Sequence, residues 1–116
     1  VLQDGIAYHC DLGLKAISTG TVETNAGRPE MVRLYTLLES EALSKDHPVH
    51  EYFEQREINL LKEYTFAAKR DGVVDPERTA LQVLSAMEGL QLRWLNESHD
   101  IDFVGEWKAL IGLLIP

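Results

Sequence analysis

The chain has 116 residues, 45% hydrophobic and 26% charged, which suits one domain around its own core and excludes a disordered segment. Its formal net charge of −8 repels phosphate and argues against this chain gripping nucleic acid by itself. A single cysteine, Cys10, excludes an internal disulfide and fits a reducing, cytoplasmic setting.

Leu2, Ile6, Cys10, Leu14 and Ile17 recur three or four apart, the stripe of a first helix over residues 1 to 18 that Gly5 and Gly13 weaken. The polar run STGTVETNAGRP, residues 18 to 29, reads as a loop. Pro29 suits the first turn of a second helix, whose stripe is Met31, Leu34, Tyr35, Leu38 and Ala42 and which ends near SKDHP. Pro48 suits the first position of a third helix, capped by Asp46 or His47. Val49, Phe53, Leu60, Tyr64 and Ala67 run along one face of it, with Leu61 and Ala68 beside them. Gly72 stops this helix, and Lys69 and Arg70 stand in its last turn, where the dipole favours cations. DPE, residues 75 to 77, is the sharpest start signal: Asp75 caps, Pro76 takes the first position and Glu77 sits at the positive end of a helix reaching about Asn96. A last helix spans about Asp102 to Leu114. No β-branched alternation is evident, so residues 1 to 116 are expected to form one all-α domain of about five helices.

The longest apolar stretch, ALIGLLIP at the C-terminus, is too short to cross a membrane, and no signal peptide is visible. The chain starts at Val1 rather than Met and inside a helical pattern, so it is expected to be a piece of a longer protein.

DHPVHEYFEQR, residues 46 to 56, gathers His47, His50 and three acids. A zinc-protease helix needs His-Glu-x-x-His so that two ligands share one face. Here the run is His50-Glu51-Tyr52-Phe53-Glu54, without the second histidine. Di-iron bundles need Glu-x-x-His, and neither His9, His47, His50 nor His99 has a Glu three residues before it. Polar groups also gather at helix starts because free N–H groups and the dipole favour them, and that reading is preferred to a metal site. Nucleophile elbows and phosphate-cradling glycine loops are missing. Cys10 beside His9 is not a dyad, since adjacent helical residues diverge. Neither an enzyme nor a cofactor is expected.

The last two helices are apolar on more than one side. Ala80, Val83, Leu84, Met87, Leu90, Gln91 and Trp94 form one broad face of the first, and Phe103, Trp107, Leu110 and Leu114 one face of the second. The other faces carry Leu81, Ser85, Glu88, Gly89 and Leu92, and Gly105, Ala109 and Gly112. Small residues let another backbone approach, so these two helices are expected to pair with their copies in a four-helix homodimer interface. Burial of both faces inside one chain is the competing reading.

RLYTLLESEALSKDHPVHEYFEQRE, followed by AAKRDGVVDPERTALQVLSAMEGLQLRWL, resembles the C-terminal domain of TetR-family transcriptional regulators, notably the actinobacterial type. The matching elements are Leu34-Tyr35, Glu41-Ala42, His47-Pro48, Gly72, Asp75-Pro76, Gly89-Leu90-Gln91 and Trp94-Leu95, over roughly residues 30 to 103. The resemblance implies an all-α domain that dimerises through its last two helices and holds an apolar or mixed-polarity effector among the others. Effector binding would release DNA from a separate helix-turn-helix domain, which this sequence lacks. DNA would thus be a partner only through that missing domain, and no membrane partner is expected. The resemblance does not locate the pocket. From spacing, Tyr8, Tyr35, Tyr64 and Trp94, with Met31, Leu34, Leu38, Phe53, Leu61 and Met87, are expected to frame a cavity. His9 is a candidate polar contact in it. Simple core packing is the competing reading for the aromatic and apolar residues, and a surface or satisfied histidine that for His9. The alternative function is a helical interaction module without a small ligand.

Overall fold

The computed structural model describes residues 11–116; Leu2, Ile6, Tyr8, His9 and Cys10, and with them most of the expected first helix, lie outside that range. Among the described residues there are five α-helices and no strands: α1 (Leu14–Ala26), α2 (Pro29–Glu41), α3 (His50–Arg70), α4 (Pro76–Leu95) and α5 (Phe103–Leu114). The chain is all-α, as the patterning predicts.

The run from residue 18, expected as a loop, is helical as far as Ala26. Spacing overrides composition here. Leu14, Ile17, Ser18, Thr21, Val22 and Asn25 are all buried on one stripe of α1. Its short polar members remain satisfied locally: Ser18 Oγ donates to Lys15 O at 3.3 Å and Thr21 Oγ1 to Ile17 O at 3.1 Å. Gly13 caps α1 with no side chain of its own. Asp71, just past α3, supplies the missing acceptor, taking the Lys15 N–H at 2.9 Å, and a methyl on Gly13 would collide with that carboxylate. Beside it, Arg70 Nη1 donates to Leu12 O at 3.2 Å.

The third helix begins two residues later than Pro48 predicts. Its first residue is His50 and Val49 is the N-cap. Neither Asp46 nor His47 caps it; the His47 ring accepts the Val49 N–H at 3.2 Å in a tight turn that still contains Pro48. Gly72 has φ 73°, the left-handed conformation that ends a helix without a Cβ penalty. The Asp75 cap stands where expected, and Asp102, expected as the start of the last helix, is its N-cap. Asp75 accepts from Arg78 N at 3.2 Å and Asp102 from Gly105 N at 3.1 Å, each satisfying an otherwise orphaned N–H.

α4 lies along α3 and also against α5, while α1 packs on α5 and α3. The core forms where these four meet, from Leu14 and Val22 of α1, Tyr64 and Ala67 of α3, Val83 and Met87 of α4, and Trp107 and Ile111 of α5. Trp107 is fully buried and its indole N–H has no partner among the described residues. A buried tryptophan removes 150–250 Å² from water, about 4–6 kcal/mol, against about 1–3 kcal/mol for an unmade hydrogen bond, so burial wins.

α2 departs from its expected inward stripe. Val32 is its one buried residue, and Met31, Leu34, Leu37 and Leu38 are exposed, Leu34 by 64%. The edge that α2 turns toward the other helices is polar: Tyr35, Thr36 and Glu39. That edge forms one wall of a cavity.

Candidate functional site

Four helices enclose the cavity. α1 contributes Thr21 and Asn25; α2 Tyr35, Thr36 and Glu39; α3 Arg56, Leu60 and Tyr64; α4 Leu84, Met87, Glu88 and Gln91. Its volume is about 40 Å³, and it is partly open to solvent. It adjoins a wider cleft of about 220 Å³ reached past Glu39 and Glu88, which line both, with Phe53, His50, Glu54 and Glu57 along the cleft. Both concavities follow from the polar edge of α2: side chains that end in charged or amide groups do not interdigitate as aliphatic ones do.

The inner polar groups are tied to one another. Asn25 Nδ2 donates to Gln91 Oε1 at 3.1 Å, bridging α1 and α4. Tyr64 is almost wholly buried; burial holds its hydroxyl well above the ordinary phenol range, while its hydrogen bond with Thr21 acts the other way. Tyr64 therefore stays a neutral donor and acceptor. Arg56 Nη1 reaches Glu39 Oε2 at 3.3 Å, with only 10% of the Arg56 side chain exposed. Its guanidinium lies 5.6 Å from the Tyr35 ring centre, within cation–π range.

The acids outnumber that cation. Glu88 keeps exposed surface as a residue, but its carboxyl stands in the concave junction of α2, α3 and α4. Burial pushes it up to about 7, the negative charges of Glu39 and Glu57 push the same way, and Arg56 opposes them. Glu39 is also raised, by burial first and then by Glu57, against the pull of Arg56.

Of the residues expected to frame a cavity, Tyr35, Tyr64 and Met87 line the enclosed part and Phe53 the cleft. Leu61 borders a separate open groove between α3 and α4, with Phe66 and Leu81. Trp94 stacks on Phe103, ring centres 4.6 Å apart, at the α4–α5 contact. Met31, Leu34 and Leu38 face outward, and Tyr8 and His9 lie outside the described residues. Sequence reasoning missed Thr21, Asn25, Glu39, Arg56, Glu88 as a cavity residue, and Gln91. A usable signal was present: Arg56 interrupts the apolar stripe from Phe53 to Tyr64, and a charge on such a stripe needs a reason.

The histidines of DHPVHEYFEQR are occupied structurally. His50 Nδ1 donates to Ala42 O at 2.7 Å, tying α3 to the end of α2, and its Nε2 lies 3.8 Å from Glu54. Among the described residues, no three His, Cys, Asp or Glu side chains converge as a metal would need.

The residues expected at a subunit interface all lie at the surface. Leu81, Ser85, Glu88, Leu92, Gly105 and Ala109 are exposed, and Gly89 and Gly112 partly so. Leu81 keeps 54%, Leu92 59% and Leu113 78% of its surface in contact with solvent, so one copy does not bury both faces of this helical pair.

None of the family models, curated proteins or solved structures compared with the chain matches it. Among the described residues no helix is long and apolar enough to cross a membrane.

Proposed function

We propose that the chain is the effector-binding and dimerisation domain of a TetR-like transcriptional regulator, which couples a small molecule in the four-helix cavity to release of DNA by a separate helix-turn-helix domain. The cavity carries the reading. A domain that needed only to fold would fill the junction of α1 to α4 with aliphatic side chains, because buried polar groups cost free energy even when paired. Here an amide pair, a buried tyrosine hydroxyl and an arginine–glutamate pair surround open space, the mixture of apolar wall and few polar anchors that small-molecule sites use.

The exposed α4–α5 face supports the homodimer. Leu81, Leu92 and Leu113 are exposed on these two helices, as are Ser85, Gly105 and Ala109, apolar and small residues that a two-fold copy would cover. Effector and DNA must favour different arrangements of the same helices for the one to release the other.

A thermal-shift screen of hydrophobic metabolites, drugs and acyl-CoA compounds tests the effector. A ligand at about a hundred times its Kd stabilises by about 2.7 kcal/mol. A specific hit whose shift is abolished by Tyr64→Phe or Arg56→Gln supports the cavity. A screen in which nothing shifts the transition leaves the alternative, a helical interaction module, which the exposed leucines of α2 favour.

A further inference from the structure

The cavity's charges do not cancel. Arg56 from α3 is matched by Glu39 from α2 at 3.3 Å. Glu57 from α3 and Glu88 from α4 have no cation within ion-pair distance among the described residues, although both line the cleft. Glu54 adds a further acid at the rim, where its near neighbour is the His50 ring. α1 brings only Thr21 and Asn25 to the cavity, neither charged. The whole concavity thus holds four carboxyls against one guanidinium.

This surplus is not arranged for a metal ion, since no three ligating side chains converge. It is spread around an apolar wall that includes Phe53, Tyr35 and Met87. Dispersed negative charge beside aromatic rings suits a cation that is itself large and weakly hydrated, because ring faces attract such a charge and desolvating it is cheap. An anion would meet the same carboxyls as repulsion.

Building on the effector reading, we infer that the cavity and its cleft take an organic cation, one ammonium centre on a compact apolar or aromatic body, with the charge held between Glu57 and Glu88 and the body against Phe53 and Tyr35. The cation supplies the countercharge that the fold leaves out. Because burial and the charges of Glu39 and Glu57 raise Glu88 from the ordinary carboxyl range to about 7, binding of a cation beside it favours the ionised carboxyl and releases protons, so affinity rises with pH.

The test uses benzyltrimethylammonium, whose charge is fixed at every pH, beside uncharged 2-phenylethanol and anionic 3-phenylpropionate. Binding to the intact chain is followed by calorimetry and NMR in physiological salt. The ammonium should bind most tightly, and up to about tenfold more tightly near pH 8 than near pH 6. Glu88→Gln and Glu57→Gln should each weaken it several-fold, and Glu88→Gln should flatten the pH dependence, whereas Glu63→Gln, which lines neither cavity nor cleft, should do neither. Circular dichroism of each variant separates lost binding from lost fold. Equal or tighter binding of 2-phenylethanol or 3-phenylpropionate overturns the cation but leaves the effector reading standing. Ammonium binding that ignores both cleft variants overturns the site. If no probe binds, the cation inference falls, and the effector reading falls with it only if the wider screen is also empty.

Discussion

Replacing Leu92 by alanine tests the α4–α5 face directly. Leu92 is 59% exposed in the single chain, so its truncation should change the stability of one copy by less than about 1 kcal/mol, as surface changes do. In a two-fold pair the same surface is covered. Full burial of a leucine contributes about 1.5–3 kcal/mol; with 59% of it still to be buried, each copy gains about 1–2 kcal/mol on pairing. The substitution acts twice across a symmetric interface, which gives about 2–4 kcal/mol, or dimerisation weaker on the order of a hundredfold. Sedimentation over a wide concentration range, with thermal melts of the same samples, reads both numbers. A wild-type chain that stays monomeric at high micromolar concentration refutes the reasoning, as does a dimer whose Kd the substitution leaves within threefold.

Three further outcomes follow from the caps, the buried tyrosine and the raised carboxyls. Asp102→Ala removes the acceptor for Gly105 N and should cost about 1 kcal/mol, lowering Tm by about 4 °C, with Asp102→Asn costing much less; equal losses in calorimetry would mean that the charge, not the cap bond, matters. Tyr64→Phe breaks the buried bond with Thr21 and should cost about 1 kcal/mol in a urea titration, so an unchanged midpoint would show that the bond contributes nothing. Glu88 is raised in the folded chain from an ordinary 4.5 to about 7. The folded state therefore keeps a proton that the unfolded chain has released, and stability should fall as pH rises across that window. Glu39, raised in the same direction, adds to the slope, Glu88→Gln should reduce it, and a flat or rising profile would contradict the assignment.

Helix starts were readable where one residue carries the signal. Asp75 before Pro76 is a local device, and its cap forms where the sequence places it; Asp102, read only as the approximate start of the last helix, proves to be its cap. The start of α1 was not readable, because its cap comes from Asp71, fifty-six positions away. The helical run beyond residue 18 was hidden for a related reason. Thr21 and Asn25 look like loop residues by type, yet their spacing from Leu14 and Ile17 puts them on a buried stripe. Tyr35, Tyr64, Met87 and Phe53 could be placed near a concavity from periodicity. Glu39 and Arg56 could not, since periodicity ranks residues by apolarity and a cavity is defined by those that break the rank. Trp94 went elsewhere because a partner of similar shape, Phe103, was available across the α4–α5 contact.

The clasp of Asp71 on the Lys15 amide, with Arg70 on the Leu12 carbonyl, joins the entry of α1 to the far end of α3. α3 also carries Arg56 and Tyr64, so one helix bears part of the cavity wall and, at its end, the residues that hold the backbone at 12 to 15. A displacement of α3 would therefore have to carry the backbone at residues 12 to 15 with it or break both of these hydrogen bonds.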